Sequence, residues 1–153
     1  MLAFKQIYGI DGYNAAKSLR QEVFMDEQGF DVDYDEHDDE AWHIVGFDGD
    51  LLIGTARVYK LTDTTYKIGR VAVKKSYRKG YVGDLMMKTL QDKIVTLGGI
   101  EAVVSSQLDA KGFYEYEGYE QVGDVYMEEG AKHVLMKLDL TKPHRSCSCK
   151  KEN

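Results

Sequence analysis

A segment from Gly69 to Met87 combines basic residues and glycines in a pattern that can hold a phosphate group. A strand-like stretch ends at Val73, a helical pattern begins at Val82, and the loop between them contains Lys75, Arg78, Lys79 and Gly80. The first backbone N–H groups of a helix have no partners inside the helix, and the helix dipole adds positive potential there. Because glycine lets such a backbone approach an anion closely, the segment favours a phosphate cradle. An ordinary strand-to-helix turn with solvated basic side chains would have the same composition.

The loop contains neither of the two best-known phosphate-binding motifs, G-x-x-x-x-G-K-(S/T) and G-x-G-x-x-G. It resembles instead the pyrophosphate-binding motif of the GNAT acetyltransferases, (Q/R)-x-x-G-x-(G/A). When Arg78 takes the first position and Gly83 the last, Tyr81 stands where the middle glycine is usual. A shift by one residue places Gly80 on the middle position and Val82 on the last. One motif glycine is therefore missing in either register.

A second segment supports the resemblance independently of the first. The GNAT segment A-x-x-F-Y-x-x-x-G-(F/Y) is matched by Ala110, Phe113, Tyr114, Gly118 and Tyr119. The stretches Arg20–Gly29 and Glu128–His133 are similar to small bacterial members of the ElaA/YjcF-like kind. The resemblance spans residues 4–140, and on these residues the chain is identified as a member of the GNAT superfamily.

Periodicity predicts the elements that position these segments. Apolar patterns predict strands at Phe4–Tyr8, Trp42–Phe47, Leu51–Tyr59, Tyr66–Val73, Ala102–Ser106 and Val134–Leu140. Helical spacing predicts helices at Asn14–Phe24, Val82–Leu97 and Ala110–Tyr116. This order predicts an α/β fold, a mixed sheet with helices on its faces, in which the strands ending at Val73 and Ser106 are parallel neighbours. The resemblance implies the GNAT acyl-CoA N-acyltransferase fold, a mostly antiparallel sheet in which this parallel pair splays apart.

Length and composition predict one soluble domain, residues 1–140, followed by a mobile tail at 141–153. The formal charge of −6 disfavours a nucleic-acid-binding protein, which needs a basic face. No apolar run approaches the roughly 20 residues of a membrane-spanning helix. The beginning of the chain lacks a signal-peptide pattern, and both cysteines, Cys147 and Cys149, lie in the tail, so we expect a cytoplasmic protein. The sequence is also compatible with a homodimer.

The resemblance implies an N-acetyltransferase that moves the acetyl group of acetyl-CoA directly to a primary amine of a small molecule or peptide. Backbone groups at the end of the strand would hold the pantetheine arm and the thioester, and amides of the loop would hold the pyrophosphate. The acetyl-CoA-binding residues expected on this basis are Val71, Ala72, Val73, Arg78, Lys79, Gly80, Tyr81, Val82, Gly83 and Asp84. Tyr114 stands at the family's general-acid position, which protonates the departing thiolate. Its aromatic neighbours are also compatible with a half-buried helix residue, but its place in the matched segment favours the general-acid role.

The resemblance does not identify the general base. Some GNAT members carry a glutamate on the strand before the loop, where this chain has Lys67. Other candidates are Glu27, His43, Glu128 and His133, of which we retain Glu27 and His133. A histidine alone in a strand is more often a surface or core residue, and a chain of water molecules could also deprotonate the amine.

An acidic stretch separates the first predicted helix from the second strand; its members are Asp31, Asp33, Asp35, Glu36, Asp38, Asp39 and Glu40. It begins like a calcium-binding EF-hand loop, but Glu36 replaces the glycine at position six and Trp42 the glutamate at position twelve. These carboxylates either select a cationic amine or form a solvated acidic loop. In the tail, His144 and the two cysteines are too few for a structural zinc site, so no metal is expected.

Two other functions stay open at this point. A protein of GNAT fold could bind CoA without catalysis, as a sensor or an interaction module, and the missing motif glycine and strand glutamate favour that alternative. A calcium-binding protein is the third hypothesis. The acceptor is not identified either, because fold does not fix function: polyamines, amino sugars, amino-acid derivatives and protein amines all fit.

Overall fold

The computed structural model of the chain describes residues 1–142. Within this range seven strands are present: β1 (Leu2–Tyr8), β2 (Trp42–Asp48), β3 (Leu51–Lys60), β4 (Thr65–Val73), β5 (Glu101–Gln107), β6 (Glu120–Glu128) and β7 (Ala131–Asp139). The same range contains three α-helices: α1 (Ile10–Arg20), α2 (Val82–Thr96) and α3 (Lys111–Tyr116). A π-helical segment, Gln21–Glu27, continues α1, and 3₁₀ turns lie at Glu36–Glu40, Lys75–Tyr77 and Leu108–Ala110. No helix in the described range has the length and hydropathy that a membrane crossing requires.

The strands form a mixed sheet in the order β1-β2-β3-β4-β5-β7-β6. The pairs β1–β2, β2–β3, β5–β7 and β6–β7 are antiparallel. β4 and β5 run parallel and are connected through α2. Where both strands begin, the Thr64 carbonyl accepts the backbone N–H groups of Ile100 at 2.8 Å and Glu101 at 3.2 Å. The predicted mixed sheet with one parallel strand pair is thus confirmed.

The sequence pattern does not predict two of these elements, β6 and the π-helical segment. The pairing of β6 with β7 is irregular between Val122 and Tyr126, where Gly123 has a φ of 79°. Because of this irregularity, the apolar residues of β6 do not follow the alternating pattern of a regular strand. α1 also begins four residues before the predicted start at Asn14. Most of the predicted tail, including Cys147 and Cys149, lies outside the described residues.

Residues 1–60 and 68–90 form one compact unit. Two glycines allow its helices to approach the strands closely. A Cβ on Gly12 would lie 2.3 Å from the Ile7 carbonyl oxygen, so α1 lies directly against β1. A Cβ on Gly54 would lie 2.8 Å from Cγ1 of Val82, so β3 contacts the beginning of α2. The buried core of this unit includes Ala16, Leu19, Ile44, Ile53, Ile68, Met86, Met87 and Leu90.

Of the described residues, 61–67 and 91–142 form the other unit. In it, β5, β7 and β6 make a three-stranded antiparallel sheet with Gln107 opposite His133 and His133 opposite Tyr126. A two-residue turn at Glu129 and Gly130 joins β6 to β7. Their φ angles of 50° and 77° are those of a type I′ turn, which fits the twist of a hairpin. The buried core here includes Ile94, Ala102, Val104, Val134 and Met136.

Candidate active site

The predicted phosphate loop, residues 74–81, is fixed at its beginning by contacts with the strands. The backbone N–H of Lys74 donates to the Ile53 carbonyl of β3 at 2.8 Å. The Tyr77 hydroxyl donates to Oδ2 of Asp48 at 2.6 Å. At the end of β4, the Ala72 side chain is buried in an apolar cluster with residues of α1 and the π-helical segment. The loop therefore begins from an anchored strand end.

Within the loop, Lys79 adopts a φ of 71°, in the left-handed region that non-glycine residues seldom occupy. Such backbone strain is found most often at ligand-binding sites. The neighbouring Gly80 is not in this region, and a Cβ there would meet the Tyr77 carbonyl oxygen at 3.5 Å, an ordinary contact. The chain's own packing therefore gives no reason for a glycine at position 80.

Two residues that the sequence assigns to different roles, Arg78 and Glu27, form one ion pair. Nη1 and Nη2 of Arg78 donate to the Glu27 carboxylate at 2.9 and 2.7 Å, and Nε donates to the Val73 carbonyl at 2.8 Å. The hydrogen bond from Arg78 lowers the pKa of Glu27. A carboxylate with a lowered pKa is a weaker proton acceptor, so this geometry argues against Glu27 as the general base.

The π-helical segment brings Glu27 and Glu22 to the loop. A π-helix has a wider turn than an α-helix, with hydrogen bonds to the fifth residue, so side chains five apart share a face. Glu22 lies five residues before Glu27 and accepts hydrogen bonds from Nζ of Lys74 at 3.1 and 3.3 Å. Two carboxylates of one segment thus bind two basic residues at the beginning and middle of the loop.

Three carboxylates of the acidic stretch are bound by arginines from α1, β3 and β4. Arg20 donates to Asp33 at 2.6 Å and to Asp38 at 2.7 Å. Arg57 donates to both oxygens of Asp35 at 2.6 and 2.9 Å. Nε and Nη2 of Arg70, a residue with a φ of 49°, donate to the Asp33 carbonyl at 3.1 and 2.9 Å.

This network gives three carboxylates of the acidic stretch a structural role. Asp33, Asp35 and Asp38 are neutralised by three guanidinium groups and hold the stretch on the first unit. Burial opposes the ionisation of Asp38, but hydrogen bonds from Arg20 and from the Asp35 backbone outweigh it, and its pKa falls to about 2. The carboxylates that stay exposed and could attract a cationic amine are Asp31, Glu36, Asp39 and Glu40. Within residues 1–142, no three His, Cys, Asp or Glu side chains are arranged to hold a metal ion.

His43, one of the candidate bases, is a core residue. Its side chain is fully buried, and Nε2 lies 3.0 Å from the Asp38 carbonyl oxygen. Burial lowers its pKa, with the Asp38 carbonyl acting in the opposite direction. His43 therefore packs beneath the arginine network and is not accessible to an acceptor.

The predicted general acid, Tyr114, lies in α3 with 8% of its surface exposed. Its ring makes edge contacts with Phe113 and Tyr119 at centroid distances of 5.1 and 5.9 Å. Burial raises the pKa of Tyr114, and the charge of Glu117 acts in the same direction. The phenol therefore keeps its proton at neutral pH, which a general acid requires before it can donate.

The candidate bases His133 and Glu128 lie together on the β6–β7 hairpin. Nδ1 of His133 is 2.9 Å from the Ala131 carbonyl oxygen, and Nε2 is 3.9 Å from Oε2 of Glu128. Ser105 of β5 donates to Oε1 of Glu128 at 3.2 Å and is also hydrogen-bonded to the Tyr126 hydroxyl. Next to this group is a cavity of about 400 Å³, lined by Gln107, Leu108, Asp109, Ala131 and Lys132.

Residues 13–140 of this chain match the acetyltransferase (GNAT) domain family. The chain belongs to the GNAT acetyltransferase family. Its matched region contains the loop, Tyr114 and the β6–β7 hairpin.

Several GNAT relatives are similar over most of their length. ElaA of Escherichia coli is 34% identical over 148 residues, covering 88% of each chain. The crystal structure of E. coli ElaA has a TM-score of 0.78 with this chain and covers 90% of it and 99% of ElaA, at 26% identity. The uncharacterized N-acetyltransferase YjcF of Bacillus subtilis is 32% identical over 124 residues, 79% of this chain and 88% of YjcF. The resemblance to the ElaA/YjcF-like kind is thus confirmed.

Distant GNAT structures share the fold alone. An aminoglycoside 6′-N-acetyltransferase, solved with coenzyme A, has a TM-score of 0.71 at 15% identity and covers 94% of this chain and 99% of its own.

Sequence reasoning does not identify Ser105 or Tyr126 as site residues. Both are polar residues in strands, and their proximity depends on the pairing of β5, β7 and β6. Because β6 is not predicted, the available signal is the short spacing between Tyr126, Glu128 and His133, three residues able to exchange protons.

Proposed function

We propose that this GNAT protein transfers the acetyl group of acetyl-CoA directly to a primary amine of a small molecule or peptide. The observation that carries this proposal is the anchored end of β4, followed by the loop with its left-handed Lys79 and by the beginning of α2. Family membership supports the acetyltransferase chemistry. We also expect the cytoplasmic location that acetyl-CoA and the sequence favour.

In this proposal the diphosphate of acetyl-CoA lies against the loop and the first turn of α2. The first N–H groups of α2 have no carbonyl partners within the helix, and the helix dipole favours an anion there. Gly80 lets the backbone approach the diphosphate, and Lys75 and Lys79 add positive charge. The remaining backbone groups of Val71–Val73 would bind the pantetheine arm, since the Val73 carbonyl is already bound by Arg78.

Transfer would take place in a complex of both substrates. Holding the amine beside the thioester makes the reaction effectively unimolecular, and a backbone N–H aimed at the thioester carbonyl would stabilise the oxyanion. Residues 1–142 contain no cysteine that could carry an acetyl intermediate. Sequential rather than ping-pong kinetics are therefore expected.

Tyr114 is proposed to protonate the departing thiolate. Replacing Tyr114 with Phe should lower kcat by roughly 100-fold, the usual size of one proton-transfer contribution. Acetyl-CoA affinity should stay unchanged, because the hydroxyl acts after binding. Tyr116→Phe, an exposed tyrosine of the same helix, is the matched control. An unchanged kcat in Tyr114→Phe would rule this role out.

The experiment for the whole proposal pairs calorimetry with acetyl-CoA and a thiol-release assay across a panel of amines. Binding with turnover of at least one amine supports the transferase. Binding of acetyl-CoA with no turnover favours the sensor or interaction module. Absence of binding overturns the proposed function.

A further inference from the structure

Four side chains of the second unit lie on one face of β5, β7 and β6. His133 stands opposite Gln107 on one side and opposite Tyr126 on the other. Ser105 precedes Gln107 by two residues, and Glu128 follows Tyr126 by two. Because side chains two apart in a strand share a face, Ser105, Tyr126, Glu128 and His133 all do so. We call these four residues the hairpin cluster.

The hydrogen bonds in the hairpin cluster have a defined direction. Ser105 has a single hydroxyl hydrogen and donates it to Oε1 of Glu128 at 3.2 Å. The Tyr126 hydroxyl must therefore be the donor in its own hydrogen bond to Ser105. The result is a chain of donors that ends on the Glu128 carboxylate and fixes its orientation.

Glu128 is fixed but not neutralised. In the part of the chain that the structure describes, no lysine or arginine forms an ion pair with it, and its side chain is 45% exposed. Its other oxygen, Oε2, faces Nε2 of His133 at 3.9 Å. A carboxylate that is held by one neutral hydroxyl, that of Ser105, and is open to solvent is suited to bind an incoming cation.

The proton on His133 can be assigned from its neighbour. A backbone carbonyl only accepts hydrogen bonds, so the hydrogen bond of Nδ1 with the Ala131 carbonyl at 2.9 Å requires the hydrogen on Nδ1. In the neutral ring Nε2 then carries the lone pair, on the edge that faces Glu128. The nitrogen able to accept a proton is thus next to the carboxylate able to hold an ammonium.

We infer that Glu128 binds the ammonium group of the acceptor and that Nε2 of His133 removes its proton. This inference rests on the proposed function. One N–H bond of the ammonium breaks, and the proton passes to Nε2, where Glu128 stabilises the imidazolium. The neutral amine attacks the acetyl carbon, and the C–S bond breaks. The second proton of the former ammonium leaves as the intermediate collapses and, through water, replaces the proton that Tyr114 gives to the thiolate. His133 returns its own proton to water, so one proton is released in each turnover.

The surroundings indicate the kind of acceptor that fits. Ala131, whose carbonyl orients His133, also lines the cavity of about 400 Å³. The charged groups at this cavity are Asp109 and Lys132, one of each sign. The charged group within the cluster is Glu128. The acceptor that fits this site is therefore a primary ammonium.

The first test compares Glu128→Gln with Glu129→Gln, a neighbouring exposed carboxylate of the same turn. With the best amine of the panel, Glu128→Gln should raise the acceptor KM by at least about tenfold, as expected for loss of a charge-assisted contact, and Glu129→Gln should not. Acetyl-CoA affinity should stay the same in both. Tyr126→Phe removes the hydroxyl that donates to Ser105. This variant should raise the acceptor KM to a smaller extent, with kcat unchanged.

The second test is His133→Gln. Its kcat should fall by roughly 100-fold at neutral pH and recover as the pH approaches the pKa of the acceptor amine, because the amine then arrives without its extra proton. A purely structural role of His133 would not produce this recovery. The matched control is His37→Gln, an exposed histidine.

A measurement without turnover separates the two proposals. Ethylammonium chloride should shift the NMR signal of the His133 ring in the wild-type protein and leave it unshifted in Glu128→Gln. If no amine is acetylated but this shift is seen, the proposed function fails and the ammonium site stands. If the shift is absent, or if Glu128→Gln and His133→Gln retain wild-type kinetics, the inference is overturned.

Discussion

Two buried histidines, His43 in the first unit and His133 in the second, have opposite surroundings. Nε2 of His43 contacts the Asp38 carbonyl, and within residues 1–142 its Nδ1 has no hydrogen-bond partner. Nδ1 of His133 contacts a carbonyl too, but its Nε2 faces the exposed carboxylate of Glu128. The two histidines are therefore both buried, and they differ in the group that faces the second ring nitrogen.

The carboxylates near the two histidines differ in the same way. Beside His43, Asp33, Asp35 and Asp38 are bound by arginines, so their charge is balanced within the chain. Beside His133, Glu128 accepts a hydrogen bond from the neutral Ser105 hydroxyl, so its charge stays available. The acidic stretch has the more conspicuous sequence, but the hairpin has the carboxylate that a ligand could use.

The largest expected effect comes from removing the charge balance beside His43. Arg20 is 1% exposed and binds both Asp33 and Asp38. Arg20→Met leaves two buried carboxylates without this donor, which should lower the free energy of unfolding by about 3–5 kcal/mol. Urea denaturation of Arg20→Met and of Lys17→Met, an exposed position on the same helix, measures the difference. If the two variants have similar stability, the network is not structural and the contrast between the two regions fails.

Acid should weaken the same region in a defined pH range. Because the pKa of Asp38 is lowered to about 2 in the folded chain, protonation favours the unfolded state. Its contribution is complete above the unfolded value of 3.8 and is lost as the pH falls through the folded value. This contribution of Asp38 to the free energy of unfolding amounts to about 2 kcal/mol, because a difference of one pKa unit corresponds to roughly 1.4 kcal/mol.

Asp38→Asn is the variant that isolates this contribution. Urea denaturation between pH 5 and pH 2 should show a smaller loss of stability on acidification in Asp38→Asn than in the wild type. Equal slopes in the two proteins would show that Asp38 is not the group that titrates.

The sequence predicts the sheet and the loop because their signals are local. Alternating or continuous apolar residues mark six of the seven strands found in residues 1–142, and the basic loop between Val73 and Val82 lies where the motif places it. β6 and the π-helical segment are missed because both depend on tertiary contacts: Glu22 and Glu27 reach Lys74 and Arg78 only when the helix widens.

The roles of individual carboxylates are predicted less well than the fold. In the sequence, Asp33, Asp38 and Glu128 are equivalent acidic residues within polar stretches. Their partners come from positions 13 to 23 residues away, as with Arg20 and Ser105. Pairing at that distance is set by strand register and helix packing, which no local pattern contains.

The smallest expected effect concerns Glu27, an exposed carboxylate with an arginine partner, which combines features of both regions. Glu27→Gln removes the negative charge next to the loop and frees the Arg78 guanidinium to interact with the diphosphate of acetyl-CoA. We expect affinity for acetyl-CoA to rise by roughly threefold, the scale of one exposed ion pair, and to become more sensitive to salt. Asp26→Asn, the same charge change one residue earlier, is the control for calorimetry at low and high salt. A weaker affinity in Glu27→Gln would mean that the ion pair shapes the loop, and Glu27 would then join Asp33 and Asp38 as a structural carboxylate despite its exposure.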